Sequence, residues 1–272
     1  WKIFGVDQDS DLPEKLSGLT KAEAQSRHNA IIALQDVNFD VYDGETFVVM
    51  GLSGSGKSTL VRCLNRLIEP TTGSVMIDDK DVLEYSEDEL IEHRRNKTSM
   101  VFQYFGLLPH RTVLENAAWG PELCEVTKEE REDKARKTLT LVGLDGWEHY
   151  RPSALSGGMQ QRVGLARAIT ANSELCLMDE PFSALDPLIR RELQDELVRL
   201  NHQMERTTIF ITHDLSEAVK LGNRIAIMRD GEIIQLGTPV DIISHPIDDY
   251  VADFTRDIRP SSVLTVGYML GN

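Results

Sequence analysis

The chain has 272 residues, with 29 Lys and Arg against 44 Asp and Glu for a formal net charge of −15, and 41% of it is apolar. That is core material for one large domain or two small ones, while 27% charged and 6% aromatic residues exclude wholesale disorder and a collagen-like fibre. No apolar run reaches the roughly 20 residues that span a bilayer, and the acidity repels nucleic-acid backbones and anionic lipid alike, although a local basic pocket could still hold one nucleotide.

Cys63, Cys124 and Cys176 stand far apart, and an odd number cannot close a full set of disulfides, so a reducing compartment is expected. The chain starts at Trp1 with no secretory leader, which reads as a fragment of a cytosolic protein whose true start is missing.

In chain order, Asp7, Asp9 and Asp11 alternate like the opening of a calcium loop. The positions that need Gly and Glu hold Leu12 and Gly18, so a solvated turn is expected instead. Capping boxes are expected at Thr20 with Glu23, Ser86 with Glu89, and Thr127 with Glu130, the last opening a polar-faced helix. Asp43-Gly44 and Asp230-Gly231 read as hairpin turns. Strands are expected at Thr46 to Met50, Thr98 to Phe102, Leu175 to Met178, Thr208 to Ile211 and Ile225 to Met228. Leu60, Val61, Leu64, Leu67 and Ile68 share one helical face. The acid-rich stretch from Asp78 to Glu92 reads as a hydrated face rather than a ligand set. Asp186-Pro187 supplies a cap and a first-turn proline for a helix whose stripe includes Leu193, Leu197 and Leu200. Strands alternating with helices imply an α/β fold with a mainly parallel sheet, and the helix-forming stretch from about 106 to 169 reads as a helical insertion.

Gly51-Leu52-Ser53-Gly54-Ser55-Gly56-Lys57-Ser58 follows a strand and opens a helix, which is the phosphate-loop pattern rather than a flexible linker. Glycines let successive N–H groups curl around an anion, and the helix start adds partial positive charge. Lys57 would reach the β- and γ-phosphates, Ser58 would offer its hydroxyl to magnesium, and Thr59 completes the nucleotide-binding set. At the end of the run Leu175 to Met178 stand Asp179 and Glu180. Neighbouring strand residues point oppositely, so two roles are expected: Asp179 as magnesium partner and Glu180 as the group that polarises the attacking water. In Leu155-Ser156-Gly157-Gly158-Met159-Gln160-Gln161-Arg162 a Ser and two glycines precede another helix, a second anion-binding start.

With this last motif the sequence resembles the ATP-binding subunits of ABC transporters. The resemblance implies a phosphate-loop NTPase (RecA-like) core with an antiparallel β subdomain and an inserted helical subdomain. It also implies two ATP molecules sandwiched head to tail between two copies, Ser156, Gly157 and Gly158 of one closing over the γ-phosphate held by the other. By the same resemblance Gln103 contacts magnesium or water and relays to the membrane partner, Asp186 belongs to a loop crossing the dimer interface, His213 holds the γ-phosphate, and Phe4 stacks on adenine. The expected cofactors are ATP and Mg2+.

Within that family Lys2-Ile3-Phe4-Gly5, Asn65-Arg66-Leu67-Ile68-Glu69-Pro70-Thr71 and Pro181 to Arg190 are similar to the ATPases of quaternary amine importers for glycine betaine, proline betaine or choline. The expected layout is a nucleotide-binding domain over 1–255 and a C-terminal extension over 256–272, where Arg259 to Val266 resembles the entry to a regulatory CBS module. The implied partners are a second copy, a membrane permease and, indirectly, a substrate-binding protein, with no nucleic acid. The subunit would lie peripherally on the cytoplasmic side of the plasma membrane, and the apolar run Tyr104, Phe105, Leu107 and Leu108 would offer the permease a docking groove. Import of another small solute such as an amino acid stays open. So does a soluble ABC ATPase acting on nucleic acid or ribosome, which would usually carry a coiled-coil insertion or two ATPase modules, and so does a regulatory module with little turnover.

Overall fold

Short runs of β-branched and apolar residues between turn residues become buried strands because both of their faces are covered. In the computed structural model the described residues are 1–6, 12–16, 19 and 21–256. Among them ten strands follow in chain order: β1 (Lys2–Phe4), β2 (Ile31–Leu34), β3 (Thr46–Met50), β4 (Met76–Ile77), β5 (Lys80–Asp81), β6 (Thr98–Val101), β7 (Leu175–Asp179), β8 (Thr207–Thr212), β9 (Arg224–Arg229) and β10 (Glu232–Gly237). The chain forms two units, one of Trp1–Val41, Phe47–Ser86 and the described chain from Thr212 on, the other of Tyr42–Thr46 and Glu87–Ile211.

In the first unit β9 runs parallel to β3, with Phe47 opposite Arg224 and Met50 opposite Ile227. It runs antiparallel to β10 across Asp230-Gly231, the expected hairpin. Phe47 to Met50 and Ile225 to Met228 are fully buried. Two short antiparallel pairs, β1 with β2 and β4 with β5, complete its sheets.

In the second unit β6, β7 and β8 are all parallel, Thr98 lying opposite Leu175 and Asp179 opposite Ile211. Between 106 and 169 the described residues hold the helices Val113–Ala117, Trp119–Leu123 and Lys128–Leu141 and most of Gly157–Ala171, and no strand. Lys128–Leu141 buries only Ala135, Thr138 and Leu139, so its polar face is as expected. The α/β class with mainly parallel strands and antiparallel pairs is borne out.

Four local expectations change. The helix after the phosphate loop is Lys57–Leu64, not one continuing to Ile68: Arg66 takes a φ of 47° and its guanidinium turns to the Val82 and Tyr85 carbonyls at 3.1 and 2.8 Å, which carries the chain out of the helix. Asp43-Gly44 is a turn but not a hairpin, since β2 ends at Leu34 and the turn closes locally through Glu45 N–H to the Tyr42 carbonyl at 3.0 Å. Asp186 is the N-cap residue of Pro187–Met204 by position, without a side-chain cap bond. Thr127 caps its helix singly, because Glu130 pairs with Lys134 at 2.9 Å; reciprocal boxes stand instead at Thr112 with Glu115 and Thr238 with Asp241. The Asp7, Asp9 and Asp11 cluster, the Thr20 cap and residues 257–272 lie outside the described residues.

Candidate functional site

In the first unit β3 delivers the chain into the loop Gly51 to Gly56 and the helix Lys57–Leu64 receives it. Gly51, Gly54 and Gly56 take φ of 155°, 81° and 104°, a region that L side chains avoid. Two of the three also have no room: a Cβ at Gly51 would lie 2.2 Å from the Met228 carbonyl oxygen, and one at Gly56 2.6 Å from that of Ala33. Gly231 of the hairpin turn braces the loop, donating its N–H to the Ser55 carbonyl at 2.9 Å and accepting from Gln35 N–H at 2.8 Å. Lys57 is buried, and its Nζ donates to the Gly51 and Leu52 carbonyls at 2.8 and 2.9 Å. Ser53 and Gly54 stay exposed at the crest, with Ser58 and Thr59 half-buried in the first helical turn.

His213 follows β8 on an exposed turn that its neighbours fix. The Thr212 hydroxyl donates to Glu217 at 2.7 Å and accepts the Asp214 N–H at 2.9 Å, and Asp214 caps Ser216 N–H at 2.8 Å. Phe4 is half-buried at the end of β1, with Lys2 Nζ 4.7 Å from its ring centroid.

In the second unit Asp179 ends β7 and is fully buried. Glu180 lies outside the strand with a φ of 49°, its N–H bonded to the Ile211 carbonyl at 3.1 Å and its carbonyl accepting the Ser183 hydroxyl at 3.0 Å. Strand alternation therefore stops at Asp179 and Glu180 stands in a left-handed turn, and such backbone strain in a non-glycine residue is characteristic of functional sites. Ser156 is the N-cap of Gly157–Ala171, accepting Met159 N–H at 3.3 Å. A Cβ at Gly158 would lie 3.1 Å from the Ala184 carbonyl oxygen. That close approach brings the Ser156 to Gly158 helix start beside the loop that ends in Asp186, whose charge also acts on Arg162.

Gln103 is half-buried on the turn after β6. The loop that follows is held by two side chains that no motif announces. Arg167 donates to the Gly106 and Phe105 carbonyls at 2.7 and 3.3 Å. Asn116, fully buried, accepts Leu108 N–H at 2.8 Å and donates to the Leu108, Arg111 and Thr112 carbonyls. Tyr104 is 80% exposed, while Phe105, Leu107 and Leu108 are half-buried. No helix among the described residues is long and apolar enough to cross a membrane.

A glycine loop that admits no Cβ, set between a buried parallel strand and a helix that opens with a buried lysine, defines a phosphate-binding α/β domain. The ABC transporter family model matches residues 34–183, more than half of the chain. The chain is 54% identical over 269 residues to the glycine betaine transport ATP-binding protein OpuAA of Bacillus subtilis, covering 99% of the chain and 64% of that protein. It is 51% identical over 265 residues to the glycine betaine/proline betaine transport system ATP-binding protein ProV of Escherichia coli, covering 97% of the chain and 66% of that protein. Among solved structures, the dimeric post-hydrolysis state of the ATP-binding cassette MJ0796 bound to ADP and Pi superposes with a TM-score of 0.73 at 36% identity, over 78% of this chain and 93% of that one. The chain belongs to the ABC transporter family. It spans slightly less than two thirds of the length of OpuAA and ProV.

Proposed function

We propose that the chain is the ATP-hydrolysing subunit of an importer that takes up a quaternary amine osmolyte such as glycine betaine through a membrane permease. The observation that carries the nucleotide reading is the loop at Gly51 and Gly56, where a Cβ would meet backbone and Lys57 is buried at the helix start. The names of OpuAA and ProV support the osmolyte.

In this reading Gly51, Ser53, Gly54, Ser55, Gly56, Lys57, Ser58 and Thr59 hold the triphosphate and Phe4 stacks on adenine. Ser58, Gln103 and Asp179 hold magnesium, which when bound offsets charge on the phosphate oxygens. The glycine loop that excludes Cβ atoms suits a phosphate, and the buried carboxylate of Asp179 by itself suits a cation. Glu180 accepts a proton from the attacking water, and His213 holds the γ-phosphate. Ser156, Gly157, Gly158 and Asp186 serve the nucleotide of a second, head-to-tail copy; the dimeric cassette with ADP and Pi supports that arrangement. The nucleotide-binding domain is 1–255 with 106–169 inserted, and 256–272 leads toward a regulatory module. Tyr104 and its neighbours dock the permease, so the subunit sits peripherally on the cytoplasmic face of the membrane, with a substrate-binding protein reached only indirectly.

Two variants test this. Lys57→Ala should lose Mg-ATP affinity in calorimetric titration. Glu180→Gln should lower turnover by a factor of order 10² to 10⁴, typical of a lost general base, and accumulate ATP-dependent dimers in sedimentation. Parent-rate turnover in Glu180→Gln, or full turnover by dilute monomers after Ser156 and Gly158 are altered, refutes the mechanism. Absence of glycine betaine stimulation in the assembled complex refutes the osmolyte.

A further inference from the structure

Tyr250 links the phosphate loop to the last described helix of the first unit, and no motif of the chain includes it. It sits in the first turn of Asp249–Thr255. Its hydroxyl oxygen accepts the Leu52 N–H at 3.4 Å and donates to the Met228 carbonyl at 3.3 Å. That carbonyl is the one to which a Cβ at Gly51 would come within 2.2 Å. One phenolic oxygen thus ties the second residue of the loop to the strand against which its first residue is pressed.

The ring is itself held. Phe254 packs edge-on at 5.1 Å between centroids, and the Arg229 guanidinium lies 5.1 Å from the ring centroid. Arg229 also pairs with Asp248 at 2.6 Å, and Asp248 caps the helix through Val251 N–H at 3.0 Å. Helix start, ring and loop are therefore one connected set. A loop whose backbone is already fixed loses less conformational freedom when an anion arrives, and that saving goes directly into affinity.

We infer that Tyr250 is a positioning residue for the phosphate loop, through which the helix Asp249–Thr255 sets triphosphate affinity; this rests on the nucleotide reading above. Whatever displaces that helix weakens nucleotide binding without touching the reacting atoms.

The test is Tyr250→Phe in the 272-residue chain, which keeps the ring and removes the hydroxyl. The dissociation constant for Mg-ATP should rise about three- to tenfold, the span of one ordinary hydrogen bond, and KM should rise in proportion. Turnover at saturation and the melting temperature should stay at parent values. Arg229→Gln, which leaves the hydroxyl but loosens the helix start, should weaken binding by a smaller factor in the same direction. A parent chain with no Mg-ATP affinity overturns the nucleotide reading and this one with it. Unchanged affinity in Tyr250→Phe, beside a parent that binds, overturns this inference alone. So does a lower kcat at constant KM, or a loss confined to melting temperature.

Discussion

Two of the loop glycines allow the cost of a side chain to be split into its parts. Gly54 has a φ of 81° and nothing within 4 Å of an added Cβ, so Gly54→Ala meets only the left-handed backbone penalty, about 1–2 kcal/mol. Gly51 adds a collision, because its Cβ would stand 2.2 Å from the Met228 oxygen where ordinary contact begins at 3.4 Å, so loop and strand must part by about 1.2 Å. Overpacking of that kind costs about 1–3 kcal/mol more. The unbound loop can relax, whereas the anion-bound loop must return to the cradle, so the strain falls on affinity. At about 1.4 kcal/mol per tenfold, Gly54→Ala should weaken Mg-ATP binding roughly 5- to 30-fold and Gly51→Ala by at least about 30-fold. Isothermal titration of both variants, with melting curves as a folding control, measures the difference. If Gly51→Ala binds within twofold of Gly54→Ala, the Met228 carbonyl does not limit the loop and the reasoning fails.

Other consequences concern the second unit. Asn116→Leu removes the acceptor of the Leu108 N–H and a donor shared by three carbonyls in a fully buried place, so unfolding free energy should fall by about 3 kcal/mol in urea titration. A loss under about 1 kcal/mol would mean that water replaces the amide. Arg111 hydrogen-bonds Glu122 and holds its carboxyl below the ordinary glutamate value. A depressed folded pKa gives stability that is complete above the unfolded value and is lost as pH falls through the folded one. The stability gap between parent and Glu122→Gln should therefore be full near neutrality and close in acid; a gap that widens on acidification contradicts the pairing.

What could be read from residues alone was what is encoded locally. The phosphate loop needs a particular backbone at Gly51, Gly54 and Gly56 and a lysine at the helix start, and those demands fall within eight successive positions, so the pattern is visible in one line of text. The hairpin at Asp230-Gly231 is legible for the same reason, but its brace on the Ser55 carbonyl is not, because a backbone bond leaves no trace in residue choice. Tyr250 acts on Leu52 across 198 positions. Asn116 and Arg167 serve carbonyls of a loop whose course only packing defines. The strand rule applied to Asp179 and Glu180 stops at Asp179, since it cannot foresee a φ of 49° at the next residue. The helix ending at Leu64 shows the converse: apolar spacing continued to Ile68, and the carbonyls waiting for Arg66 overrode it.

The stapling of the stretch after Gln103 has a mechanical corollary. Arg167 grips Phe105 and Gly106 from the helix Gly157–Ala171, at whose first turn stands Ser156, and Asn116 clamps the same stretch from its far side. A strap pinned at both ends has little slack, so the stretch from Phe105 to Leu108 holds one course over the helix that Ser156 caps, while Tyr104 protrudes just ahead of the first pin.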